Sequence, residues 1–304
     1  MPNLSINIGK LKLKNPVMVA SGTFGYGEDF KDFIDLKKLG AVVSKTITLR
    51  PRKGNPPPRT CETPSGMLNS IGLENPGLDS FIKDKLPLLK KSGIPIIVSI
   101  ASQGEAEEFV VLAEELERIK EVSAIELNIS CPNIREKNRL ISQNEQATYD
   151  LVKKVRQVTS KTLITKLSPN VTSIVKIAQA AEKAGSDAVS LINTLTGMSI
   201  DLDSRRPKIV AITGGLSGPA IRPVALRMCW EVARNINIPI IGMGGIMDAQ
   251  SALEFIIAGA SAVSVGTANF VNPGVCIEII HGIDDYLGEN KMKNIRELIG
   301  SLEI

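Results

Sequence analysis

The sequence predicts an α/β protein: a (β/α)8 TIM barrel with an N-terminal hairpin and long loops at the C-terminal rim. Apolar, β-prone runs recur eight times along the chain. They are continuous rather than alternating, as parallel strands covered on both faces require. Amphipathic helical stretches fall between them, so the order is βα repeated. A doubly wound open sheet is the competing architecture. The count of eight and the lack of an early Gly-rich βα turn favour the barrel. Residues 1–304 are assigned to one domain.

Taken in order, Leu4 to Lys14 alternates as a small hairpin suited to plug the end of the barrel opposite the rim. The strand runs are Pro16 to Ser21, Ala41 to Thr46, Pro95 to Ile100, Ala124 to Ser130, Thr162 to Leu167, Ala188 to Asn193, Ile238 to Met243 and Ala262 to Gly266. Helical patterns occupy Gly104 to Lys120, Glu145 to Val158, Ser173 to Ala184, Pro219 to Asn235 and Ala249 to Ala258. Gly185 and Gly259 stand where helix C-caps are expected. Three connections are too long for simple turns: Ile47 to Gly77, Ile134 to Asn144 and Thr194 to Ser217. Each follows a strand, so each emerges at the C-terminal rim, where barrel active sites sit.

Composition narrows the function. Apolar residues are 43% and aromatics only 4%, so Val, Ile, Leu and Ala build the interior. The net charge of +4 is spread out, without the basic stripe of a nucleic-acid groove. Cys61, Cys131, Cys229 and Cys276 have neither metal-ligand nor disulfide spacing, which reads as free thiols in a reducing cytoplasm and no metal site. Met1 to Lys10 lacks the basic start and apolar run of a signal peptide, and no apolar run is long enough for a membrane span.

The chemistry is expected at the strand ends. Ser21, Lys45, Thr46, Ser99, Asn128, Ser130, Lys166, Asn193 and Thr194 all fall there and converge in a barrel. Lys45 and Lys166 interrupt apolar strands. Each is either a snorkelling lysine or a buried ammonium that needs a phosphate, a carboxylate or an electron-rich flavin ring as partner; Lys166 also suits a Schiff base. Gly242-Met-Gly-Gly-Ile246 and Gly266-Thr267 follow the last two strands, a common barrel phosphate site, and Gly215-Leu-Ser-Gly218 offers further backbone donors. The other reading of these glycines is tight turns. Cys131 lies on a strand-end loop between the amides Asn128 and Asn133, and the one histidine, His281, is far downstream. A general base acting as a thiolate fits better than a His-activated nucleophile. Cys61, Cys229 and Cys276 read as inert apolar residues.

Lys45-Thr46, Asn69-Ser-Ile-Gly-Leu73, Asn128-Ile-Ser-Cys-Pro-Asn133, Ile192-Asn-Thr194, Gly215-Leu-Ser-Gly-Pro-Ala220, Gly242-Met-Gly-Gly245 and Gly266-Thr267 occur in that order. Together they resemble the dihydroorotate dehydrogenase family, from about Leu4 to Leu287. Cysteine rather than serine at 131 resembles the soluble class 1 enzymes. Pro51-Arg-Lys-Gly-Asn-Pro-Pro-Pro-Arg59, followed by Glu62-Thr-Pro-Ser-Gly66, is similar to the NAD-linked class 1B catalytic subunit.

The resemblance implies oxidation of (S)-dihydroorotate to orotate in pyrimidine (UMP) biosynthesis. Cys131 would take a proton from the ring methylene while hydride leaves the adjacent carbon for FMN. FMN would be held by Ser21, Lys45, Thr46, Ser99, Asn128, Lys166, Ile192, Gly218, Gly244, Gly245, Gly266 and Thr267, the last four around its phosphate. Ser99 departs from relatives with Asn at that place. The substrate would meet Lys45, Asn69, Ser70, Ile71, Gly72, Leu73, Asn128, Asn133, Asn193 and Thr194. Lys45 and Lys166 would join Cys131 as catalytic residues, Lys166 stabilising charge on the reduced flavin, and Ile134 to Asn144 would be a mobile lid. Electrons would pass to NAD+ through a partner subunit carrying FAD and a [2Fe-2S] cluster, two of each chain forming a heterotetramer. A reference thiol titrates near 8.5, so activity is expected to rise towards and past neutrality. The rival readings are a class 1A-type enzyme using fumarate, a phosphate-binding barrel lyase or isomerase using Lys166, and a non-catalytic scaffold.

Overall fold

The computed structural model describes residues 2–130, 135–136 and 139–304. Its centre is an eight-stranded parallel sheet: β1 (Val17–Val19), β2 (Val42–Val43), β3 (Ile96–Ile100), β4 (Val122–Asn128), β5 (Thr162–Lys166), β6 (Ala188–Leu191), β7 (Ile240–Gly242) and β8 (Ala262–Val265). Each strand pairs with the next. β8 returns to β1 through Val263↔Val17 and Val265↔Val19, and a parallel bridge from Met18 to Ala41 joins β1 to the start of β2. The ring is thereby closed, as expected for a (β/α)8 barrel. All eight expected runs overlap a barrel strand; the fourth strand starts two residues before its run, at Val122. The second is shorter than its apolar run because the chain leaves the ladder early: Lys45 N–H donates to Gly25 O at 2.8 Å, and pairing resumes only at the Ile47–Ile100 bridge.

The strands carry Val, Ile, Leu and Ala on both faces because both are covered: every residue of β1, β2, β3, β5, β6, β7 and β8 is buried. The covering helices include Glu107–Glu117, Glu145–Val158, Ile174–Lys183, Arg222–Ala233 and Ala249–Ile257. Three of these five starts, those after Asn144, Ser173 and Asp248, are satisfied by side chains. Asn144 Oδ1 accepts from Ala147 N–H at 2.9 Å, and Asp248 Oδ1 from Ser251 N–H at 2.7 Å in a capping box. Helix Val275–Glu289 follows β8 and packs against β1; His281 lies on its exposed side.

The N-terminal hairpin pairs Ile6–Ile8 with Leu11–Leu13. It buries Ile6, Ile8, Leu11 and Leu13 and exposes Asn7 and Lys12. Lys10 N–H donates to Thr162 Oγ1 at 3.0 Å, at the start of β5, so the hairpin covers the end opposite the rim.

Two of the long connections are more ordered than loops. Thr60–Thr63, Gly66–Asn69, Thr213–Ser217 and Leu195–Met198 form a four-stranded antiparallel sheet over the rim. Its central register pairs Gly215 with Asn69, Leu216 with Leu68 and Ser217 with Met67. In the third connection Arg135–Glu136 pairs with Arg139–Leu140. Among the described residues no helix is long and apolar enough to cross a membrane.

Candidate active site

A cavity of about 210 Å³ opens at the C-terminal ends of the strands, beneath the rim sheet. Lys166, the last residue of β5, enters it from one side. Ile192, Asn193 and Thr194 enter after β6, Gly244 and Gly245 after β7, and Gly266 and Thr267 after β8. The rim sheet supplies Asn69 and Ser217, and Ile71 and Gly218 follow its strands. Residues far apart in sequence meet here because parallel strands all end on one face of the barrel.

Under this cavity a polar chain links the strand ends. Asn193 Nδ2 donates to Asn128 Oδ1 at 3.5 Å, Asn128 Nδ2 to Thr46 Oγ1 at 3.3 Å, and Thr46 Oγ1 lies 2.9 Å from Ser99 Oγ. Thr46, Ser99 and Asn128 are buried and outside the cavity wall proper. The bonds hold the side chains of four strand ends in place, which is the rigidity a recognition surface needs.

Lys166 is 5% exposed, and its Nζ donates to Ser21 Oγ at 3.4 Å. Among the described residues no carboxylate lies within ion-pair distance of it. A buried ammonium with one long bond to a hydroxyl is under-compensated, and an anionic or electron-rich ligand would relieve it. Lys45 is half-buried and also outside the wall. Burial pushes its pKa down; Glu74 opposes that shift and Arg59 adds to it. Arg59 and Glu74 are themselves ion-paired, which holds the Glu74 carboxyl below its usual range.

The segment 69–73 divides by direction. Asn69 and Ile71 line the cavity, whereas Ser70, Gly72 and Leu73 do not; the chain turns away after Ile71, with φ of 75° at Gly72 and 56° at Leu73. Asn55 Nδ2 donates to Ser70 Oγ at 2.7 Å and to its carbonyl at 2.9 Å, and Asn75 Nδ2 to Leu73 O at 2.8 Å, anchoring the outer side.

The glycines after β7 are required by space as well as by backbone angle. Gly244 and Gly245 have φ of 123° and 74°. A Cβ on Gly244 would stand 2.8 Å from Ala225 Cβ, and one on Gly245 2.7 Å from Arg222 Cβ. Across the same corner Thr267 Oγ1 donates to Ser217 Oγ at 2.8 Å. The model match to the dihydroorotate dehydrogenase family runs over residues 3–287, through every wall of this cavity.

The chain belongs to the dihydroorotate dehydrogenase family.

It is 55% identical to dihydroorotate dehydrogenase B (NAD(+)), catalytic subunit, of Geotalea daltonii, over 100% of this chain and 99% of that one. The proteins of the same description from Thermoanaerobacter pseudethanolicus and Bacteroides thetaiotaomicron are 52% and 50% identical, over 99% and 100% of both chains respectively. Of the residues that the family resemblance singles out, Cys131, Pro132 and Asn133 lie outside the described residues, as do Ile134, Lys137 and Asn138 of the expected lid. The described chain reaches Ser130, whose Oγ donates to Lys166 O at 3.4 Å.

Of the other cysteines, Cys61 is half-buried, on the rim sheet. Cys229 and Cys276 are buried, and burial pushes both thiols up to about 12. Several members of the wall are absent from the sequence reading, among them Thr23, Thr60 and, on β8, Ser264. The Ser264 Oγ is buried, faces the cavity and has no hydrogen-bond partner. A serine inside an otherwise apolar strand was the available signal. A buried hydroxyl without a partner is under-compensated, and a polar ligand atom reaching it would relieve that.

Proposed function

We propose that this chain is the flavin-bearing catalytic subunit of an NAD+-linked dihydroorotate dehydrogenase, oxidising (S)-dihydroorotate to orotate in de novo pyrimidine biosynthesis. Full-length identity of 50–55% to catalytic subunits of that description carries the reading. It favours NAD+ over fumarate as the final acceptor.

The residues present fit FMN. Gly244 and Gly245 leave space where side chains would stand, Gly218, Gly266 and Thr267 flank it, and this corner suits a phosphate. Ser264 Oγ waits for a partner, and Ile192 gives an apolar wall for a ring. Ser21, Thr46, Ser99 and Asn128 would steady the site from below, and Lys166 would face the electron-rich edge of the ring. When bound, FMN supplies the acceptor for the hydride that leaves the substrate carbon bearing the carboxylate.

The chain's own residues do the rest. Cys131, as a thiolate, takes the proton from the neighbouring ring methylene, so loss of one proton and one hydride converts dihydroorotate to orotate. Asn69, Asn128, Asn133, Asn193 and Thr194 would hold the amide edges and the carboxylate, and Lys45 would add a positive charge beside them. The 69–73 segment, tied down by Asn55 and Asn75, would keep water off the substrate face.

Electrons would then leave for NAD+ through a second subunit carrying FAD and a [2Fe-2S] cluster, in a cytoplasmic heterotetramer of two catalytic and two electron-transfer chains. One surface supports an assembled state: Met198, Ile200, Leu202, Val210 and Ile212 are all about half exposed or more, within one excursion at the rim.

The test of the chemistry is Cys131→Ser. The variant should retain its yellow colour, while dihydroorotate reduces its flavin at least ~100-fold more slowly at neutral pH, the usual scale for losing a general base. A wild-type rate would reject Cys131 as the base.

A further inference from the structure

Glu126 lies near the end of β4 and is 2% exposed. Its Oε2 accepts from Ser190 Oγ at 3.0 Å, whereas its Oε1 is buried without a hydrogen-bond partner. β5 separates β4 from β6, so a bond from Glu126 to Ser190 crosses the inside of the barrel. Side chains two apart on a strand share a face. Glu126 is therefore one layer below Asn128 and the polar chain under the cavity.

The register brings this carboxylate close to Lys166. On β5, Lys166 pairs with Asn128 and Ser190, and Ile164 pairs with Glu126. With strand spacing near 4.8 Å and a rise near 3.3 Å per residue, the Cα atoms of Glu126 and Lys166 are roughly 8 Å apart. Among the described residues these two are the only Asp, Glu, Lys, Arg or His side chains that are fully buried. Each is short of partners: Lys166 has one 3.4 Å bond, and Glu126 has a free oxygen. A lone buried charge costs several kcal/mol, and two of opposite sign in adjacent layers offset one another even without contact.

We propose that Glu126 is a positioning residue for the flavin site, its carboxylate balancing Lys166 from beneath the floor and setting how far the ammonium favours reduced over oxidised flavin. The proposal rests on the FMN reading above. With Glu126 in place the floor is near neutral before ligand binds. With it neutralised, the whole charge of Lys166 acts on the electron-rich reduced ring.

The test is the midpoint potential of the bound flavin in the full-length protein, followed spectroscopically against reference dyes. Glu126→Gln should bind FMN and shift the potential upward, raising the reduced-to-oxidised ratio at fixed potential about tenfold, which is ~30 mV for a two-electron couple. Glu126→Asp keeps the charge and should stay near wild type. If Glu126→Gln does not fold, Glu126→Met replaces it, since a buried charge often yields to an apolar residue of similar length. A Glu126→Gln or Glu126→Met potential equal to wild type overturns the proposal, as does a Glu126→Asp shift as large as that of the neutral variants. Wild-type protein that purifies colourless and takes up no FMN would instead overturn the FMN reading, and the proposal with it.

Discussion

Lys45 and Lys166 would serve a ligand, as proposed above, at some cost to the ligand-free fold. Burial lowers the Lys45 pKa in the folded state, so the unfolded chain binds its proton more tightly. The sign follows from linkage. Below the depressed value the charge penalises the fold, and stability recovers as pH climbs from that value towards the ordinary 10.5. Lys45→Met should accordingly raise the Tm of ligand-free protein at pH 7, by an amount that shrinks as pH approaches 10, while weakening dihydroorotate binding. A lower Tm in thermal melts at pH 7 would mark Lys45 as structural. Both lysines were readable in the sequence because a cation inside an apolar run is conspicuous. Ser264 gave only a faint signal, since a serine in a strand has no readable direction until the barrel closes; the ties of Ser70 to Asn55 and of Leu73 to Asn75 likewise show only in the folded loop.

Among the elements, the barrel strands and their helices were readable because their signals are local. A run such as Ile96–Ile100 is apolar throughout, and a start such as Asn144 before Glu145–Val158 caps within three residues. The rim sheet was not. Its central pairing joins Gly66–Asn69 to Thr213–Ser217, about 150 residues apart, and its strands are glycine-rich and half-exposed, so neither periodicity nor propensity reveals them. Turn glycines belong to this scale too. Gly245→Ala places a side chain at φ of 74° and against Arg222. It should cost about 1–3 kcal/mol in chemical denaturation and loosen FMN more than tenfold in a flavin-release titration. Unchanged FMN affinity would remove the β7 turn from the cofactor site.

For the whole molecule, a closed barrel with one open end places the cavity, the rim sheet and the apolar excursion 194–217 on the same side. The fold class was readable from the count and continuity of strands, whereas the strip proposed above as a partner surface was not, because the exposure of Met198, Ile200 and Leu202 is a property of the folded rim. Leu202, 85% exposed, is the extreme case. Leu202→Glu should lower the mass of the assembly in light scattering while leaving flavin content intact; an unchanged mass would free this strip from any interface. The central claim is that substrate and flavin share one pocket. Its most direct measurement is the visible spectrum of the purified protein before and after dihydroorotate is added without oxygen. The flavin bands should be present at the start and bleach on addition. A colourless protein, or flavin bands that persist with excess dihydroorotate, would contradict the account.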